Sequence, residues 1–158
     1  MGAKSEALAK QFEAKVREAM ATLEKLSDAD WKKVTEAEKW PVGVTAHHLA
    51  DALESVSKMV KAVVAGQSLE ITNDMLNEMN ARHAKEQANC TRAETIELLR
   101  KGAAAAAVVI RGLSDEQMAK TGVVLQGVPP MTAEQLITGG LLGHIDMHFG
   151  SIRKTVGS

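Results

Sequence analysis

The sequence predicts an all-α fold: a bundle of four long helices, with short extra helices in the connections. Three observations predict it. Apolar residues recur at steps of three and four over four long segments, which is the helical period. Thr91 with Glu94, Ser114 with Gln117 and Thr132 with Gln135 form three capping boxes, in which a hydroxyl and a carboxylate or amide satisfy free N–H groups at a helix start. Proline stands only at positions 41, 129 and 130, where the periodicity is interrupted.

The first helix is expected over residues 5–26, where Leu8, Phe12, Val16, Ala19, Leu23 and Leu26 trace one apolar stripe. Ser27 and Asp28 end it, and a short turn or helix starts at Asp28. Pro41 suits the first turn of the second long helix, where its missing N–H is not needed. That helix runs to about residue 65, and Gly66 supplies a left-handed stop. A further helix covers roughly 73–88. The Thr91 box opens the third long helix, ending at 111 or 112. Its alanine run serves either the close approach of a neighbour or helix propensity alone. The Ser114 box starts a short helix ending near residue 120. Residues 122–130 are apolar but rich in Gly and Pro, so a loop with some extended character is expected there. No strand signal competes. The Thr132 box opens the last helix, which should reach about residue 154. No repeat, linker or low-complexity tail divides the chain, so residues 1–158 are expected to form one domain.

Composition excludes several function classes. The formal charge is −1, and basic residues alternate with acidic ones, so no phosphate-tracking surface is expected. Aromatics are 3% of the chain, too few for a base-stacking platform, and nucleic acid is not an expected partner. The longest apolar run, residues 102–110, is far short of a membrane span. Charges scattered over residues 1–26 argue against a signal peptide, and a cytoplasmic location is expected. Cys90 is the single cysteine, which excludes an internal disulfide and a four-cysteine zinc site. With no histidine near it in sequence it lacks an activating partner and is not a candidate nucleophile.

The histidines carry the chemistry. His144 and His148 are spaced i, i+4, which puts both rings on one helix face, one turn apart, able to converge on one ion. A third ligand must come from another helix. At about 100° per residue, His48 shares one side of the second helix with Val44, Ala52, Val56, Met59 and Val63, and so points inward. His47 lies about 100° away, at the edge. His47 and His83 read as ordinary surface residues. Burying three unliganded imidazoles would strand polar groups, so His48, His144 and His148 are the expected metal ligands. Three neutral imidazoles favour Zn or Ni, with Fe or Mn as alternatives. Asp51, one turn after His48, is the candidate catalytic base or orienting carboxylate; an exposed helix carboxylate is the plainer reading.

The same residues carry a family resemblance. Residues 40–51 (WPVGVTAHHLAD) resemble the Trp-to-His-Leu-Ala-Asp segment of DinB-like proteins, and residues 140–153 (GLLGHIDMHFGSIR) resemble that family's closing helix. Residues 80–84 (NARHA) and 113–117 (LSDEQ) share the family's character. The resemblance covers nearly the whole chain. It implies an up-down-down-up four-helix bundle with a three-His metal site, in a family that includes enzymes using low-molecular-weight thiols. The ligands it implies are again His48, His144 and His148.

Two functions are therefore expected to compete. One is a metal-dependent enzyme of thiol-transferase or hydrolase type, acting on a small molecule such as a low-molecular-weight thiol. The other is a non-catalytic metal-binding or stress-response module. A homodimer is also expected, with Leu69, Ile71, Met75, Leu76 and Met79 either facing a partner or simply covering one end of the core.

Overall fold

Eight α-helices and one two-stranded ladder make up the computed structural model, which describes residues 2–157. The helices are α1 (Ala3–Lys25), α2 (Asp28–Lys32), α3 (Val42–Val64), α4 (Asn73–Glu86), α5 (Arg92–Arg111), α6 (Asp115–Met118), α7 (Ala133–Ile137) and α8 (His144–Val156). The four long elements are α1, α3, α5 and the α7–α8 arm, as the periodicity predicts.

Side-chain contacts fix the helix directions. Lys15 donates to Asp146 at 2.8 Å and Arg153 to Thr22 at 3.3 Å, so α1 and α8 run parallel. Arg111, at the end of α5, grips Glu6 and Glu13 near the start of α1, so those two helices are antiparallel. His48 meets His144 and His148 while Val56 meets Gly140, which makes α3 and α8 antiparallel. The Trp31 indole sits on Gly43 at the start of α3 and donates to the Cys90 carbonyl just before α5. Gly102 of α5 abuts Ala50 and Leu53 further along α3, so α3 and α5 run parallel. The order is up-down-down-up, with α5 and α8 each packed against both α1 and α3.

The predicted stripe of α1 is the buried one: Phe12, Ala19 and Leu23 are wholly buried, and Val16 and Leu26 nearly so. Phe149, Leu49, Leu53, Leu99, Ile110 and Ile152 meet them in the core. Each such side chain contributes roughly 1.5–3 kcal/mol on burial. In the alanine run, Ala103, Ala106 and Ala107 are buried beside Gly102, whose added Cβ would lie 3.2 Å from the Ala50 carbonyl. Close approach is therefore one service of that run. Gly66 takes φ 79°, the left-handed stop the sequence predicts. Among the described residues, no helix is long and apolar enough to cross a membrane.

Four details differ from the sequence reading. Pro41 is the N-cap of α3 rather than a first-turn residue; its carbonyl accepts from Thr45. The Thr91 box is half formed, since the hydroxyl accepts from the Glu94 N–H but Glu94 does not reach back. A two-residue antiparallel ladder pairs Thr121 with Thr132 and Gly122 with Met131, too short to leave a period-two signal. The last helix is not continuous: Thr138–Gly143 forms a π-helical segment between α7 and α8. The paired glycines at 139 and 140 have little α-helical propensity and yield there, directly before His144.

Candidate functional site

His48 comes from α3 and His144 and His148 from the start of α8, one turn apart. The π segment and Gly140 set their approach. A Cβ on Gly140 would lie 2.9 Å from Val56 Cγ1, so a glycine there lets α8 close on α3. One ring nitrogen from each of the three imidazoles lies within 4.8 Å of the others. The His48 ring centroid is 5.6 Å from that of His144 and 5.0 Å from that of His148.

Burial holds His48 down to about 3 and His144 down to about 4, with neighbouring imidazoles acting in the same direction. Both rings are thus neutral near pH 7, with lone pairs free. Glu38 settles the third ring. Its carboxylate bonds His148 Nδ1 at 2.7 Å and accepts from the Ser151 hydroxyl at 2.6 Å. Burial would raise the Glu38 carboxyl, yet the hydrogen bonds from Ser151 and His148 outweigh it and hold it below the usual carboxylate range. An ionised Glu38 accepts only, so His148 Nδ1 donates to it and Nε2 is the nitrogen left to face the other two rings. That Nε2 is buried and has no hydrogen-bond partner. With side-chain exposures of 7% and 8%, His148 and Glu38 cannot turn to water instead. An orphaned buried ring nitrogen beside two neutral imidazoles is a donor set that fits a divalent ion.

Glu38 was not legible in the sequence. It is delivered by the loop between α2 and α3, where Val34 bridges Pro41 and Lys39 adopts φ 64°. The same loop places Trp40 edge-on to His48, ring centroids 5.2 Å apart.

Beside the histidines a cleft of about 260 Å³ opens between α3 and α4, and His144 of α8 also lines it. Asp51 lines this cleft and is exposed. It bonds no imidazole among the described residues; Glu38 supplies the orienting contact that the sequence reading offered to Asp51. Met79 and Leu76, of the apolar set first read as a dimer patch or end cover, also line the cleft. His47 and His83 correct an expectation. Both are half-buried rather than surface residues, and His47 Nδ1 meets His83 Nε2 at 2.7 Å. Burial lowers both, so this pair too is neutral. Cys90 is buried, which pushes its thiol up and away from nucleophilic use.

The fold has solved counterparts. The mycothiol-dependent maleylpyruvate isomerase superposes with a TM-score of 0.74 at 13% identity, and a point mutant of it gives the same TM-score at 12%. Both cover 94% of this chain, which spans only 60% of the isomerase's length. YfiT from Bacillus subtilis, described as a probable metal-dependent hydrolase with an unusual four-helix bundle topology, gives 0.73 at 17% identity. That match covers 99% of this chain and 90% of YfiT. No curated protein matches the sequence. Residues 12–138 match the family described as the mycothiol maleylpyruvate isomerase N-terminal domain. With most of its length inside that match, the chain belongs to this family, part of the DinB-like superfamily.

Proposed function

We propose that this protein is a divalent-metal-dependent enzyme of thiol-transferase or hydrolase type, with His48, His144 and His148 holding the ion beside the α3–α4 cleft. The observation that carries the reading is the buried, unpartnered Nε2 of His148, on a ring held through Nδ1 by Glu38. Zn or Ni suits three imidazoles best, and Fe or Mn is the alternative. When bound, such an ion supplies Lewis acidity and lowers the pKa of a water or thiol presented to it.

The chain's own residues do the rest. Glu38 holds the His148 ring in one tautomer and orientation, a contact worth 10- to 100-fold in affinity at comparable sites. Trp40 and the α2–α3 loop cover the back of the triad. Asp51 lines the same cleft as an exposed carboxylate, and this reading gives it the role of accepting the proton that a thiol or water gives up. A small molecule enters past α4, and the mycothiol-dependent isomerase among the structural counterparts makes a low-molecular-weight thiol the first co-substrate to offer.

The test is a panel of thiols, electrophiles and esters offered to the metal-loaded protein. Turnover that chelation abolishes and Asp51→Asn reduces at least tenfold is expected. Metal-loaded protein that turns over none of the panel, yet loses much thermal stability on chelation, would favour the second reading, a non-catalytic metal-binding module. A homodimer accompanies either reading, and sedimentation at high concentration decides it.

A further inference from the structure

Several helical hydroxyls in this protein turn back on their own helix. Thr22, Thr45, Ser57, Thr95 and Thr155 each donate to the carbonyl four residues earlier, the usual local bond of such side chains. Ser151 departs from that habit. Its hydroxyl leaves α8 and donates to Glu38 Oε1 at 2.6 Å, while Glu38 Oε2 meets His148 Nδ1 at 2.7 Å. One carboxylate is thus gripped by one helix at two points, an oxygen to each.

Two bonds do what one would not. The terminal torsion of a glutamate is broad and roughly two-fold, so a single bond to His148 would leave the carboxylate plane free to swing about that contact. A second bond to the other oxygen fixes the plane, and with it the direction from which Oε2 meets the imidazole. The Glu38 side chain is only 8% exposed, so water is a poor substitute for the hydroxyl, and an oxygen left there without a donor is costly. Placement along α8 matches this role. At about 100° per residue, His144, His148 and Ser151 fall within an arc of about 60°, a stripe of two candidate ligands and one clamp.

We infer that Ser151 is a positioning residue of the metal site: it locks the Glu38 carboxylate, and through Glu38 the His148 ring, in the orientation that leaves Nε2 to face His48 and His144. The inference rests on the reading of those three histidines as ligands, but one arm of its test needs no ion, so the two are separable.

Competition titration against a chromophoric chelator reads zinc affinity, and proton–nitrogen NMR of the metal-free protein reads the His148 Nδ1 proton. Ser151→Ala should weaken zinc binding roughly 2- to 10-fold, the range of one hydrogen bond, and should speed exchange of that proton with water. Ser151→Thr keeps the hydroxyl, and its methyl can occupy the groove of about 650 Å³ that Ser151 lines with Ala37 and Gly150, so most of the loss should be recovered. Thr155→Val removes a hydroxyl from the same groove whose bond lies within its own helix, and should change neither reading. In a Glu38→Ala background, Ser151→Ala should lower affinity no further, because a residue that acts through Glu38 has nothing left to hold. Unchanged zinc affinity and an unchanged His148 proton in Ser151→Ala, whatever its thermal stability, would make the serine merely structural and overturn the inference. A full loss of affinity repeated in the Glu38→Ala background would overturn it too. Faster exchange of the His148 proton in Ser151→Ala, in a protein that takes up no zinc, supports the positioning role while removing the triad reading; bound zinc with both readings indifferent to Ser151 does the reverse.

Discussion

Glu38 and His148 stand 110 positions apart in sequence and share a 2.7 Å hydrogen bond between two buried side chains. That contact, not the spacing of the histidines, fixes which His148 nitrogen is left for an ion. Glu38→Ala should therefore lower zinc affinity about 10- to 100-fold without unfolding the bundle. Glu38→Gln, which keeps an acceptor oxygen, should lose less. Competition titration against a chromophoric chelator measures both, and unchanged affinity in Glu38→Ala would remove the orienting role.

Gly139 and Gly140 are adjacent yet should respond in opposite ways to alanine. A Cβ on Gly140 meets Val56 at 2.9 Å, whereas nothing lies within 4 Å of one on Gly139. Gly140→Ala should destabilise by about 1–3 kcal/mol, the cost of overpacking, and should weaken metal binding as α8 backs away from α3. Gly139→Ala should be neutral or stabilise by up to ~1 kcal/mol through helix propensity. Urea denaturation of the two variants side by side checks the contrast.

Acid should destabilise the metal-free protein well above the carboxylate range. His48 and His144 are held at about 3 and about 4, below the 6.5 of an unperturbed imidazole. Between those values the unfolded chain binds more protons than the folded one, so stability is full above about pH 6.5 and falls as the pH drops toward 4. The lowered pKa values of His47 and His83 act with the same sign. Glu38, also lowered, adds its loss only below the ordinary carboxylate value of 4.5. Denaturation midpoints at pH 7.5, 6 and 5 measure this, and a flat profile over that range would contradict the burial of these rings. Since protons and a metal compete for the same lone pairs, acid should also release bound zinc.

Much of this was legible in the sequence for plain reasons. Helix period and capping chemistry are local, so α1, α3, α5 and the Thr132 start of the last arm could be read residue by residue. The i, i+4 spacing of His144 and His148 and the inward angle of His48 are likewise properties of single helices. Glu38 was hidden because its role exists only where a loop with Lys39 at φ 64° folds back on α8. His83 was hidden because α4 buries none of its residues fully, so its weak apolar stripe gave no hint that one imidazole faces His47. The π segment left only the Gly139–Gly140 pair as a trace, and a glycine pair alone does not separate a kink from a π turn.

The central claim is that His48, His144 and His148 hold a divalent ion, and metal content tests it most directly. Tag-free protein, purified without nickel resin or chelators, is analysed by mass spectrometry beside the His48→Ala/His144→Ala/His148→Ala variant. Near-stoichiometric divalent metal in the wild type, absent from a triple variant that keeps its helical circular dichroism, is the predicted result. A wild type that stays metal-free after dialysis against Zn and Ni would contradict the claim and leave the bundle without its proposed chemistry.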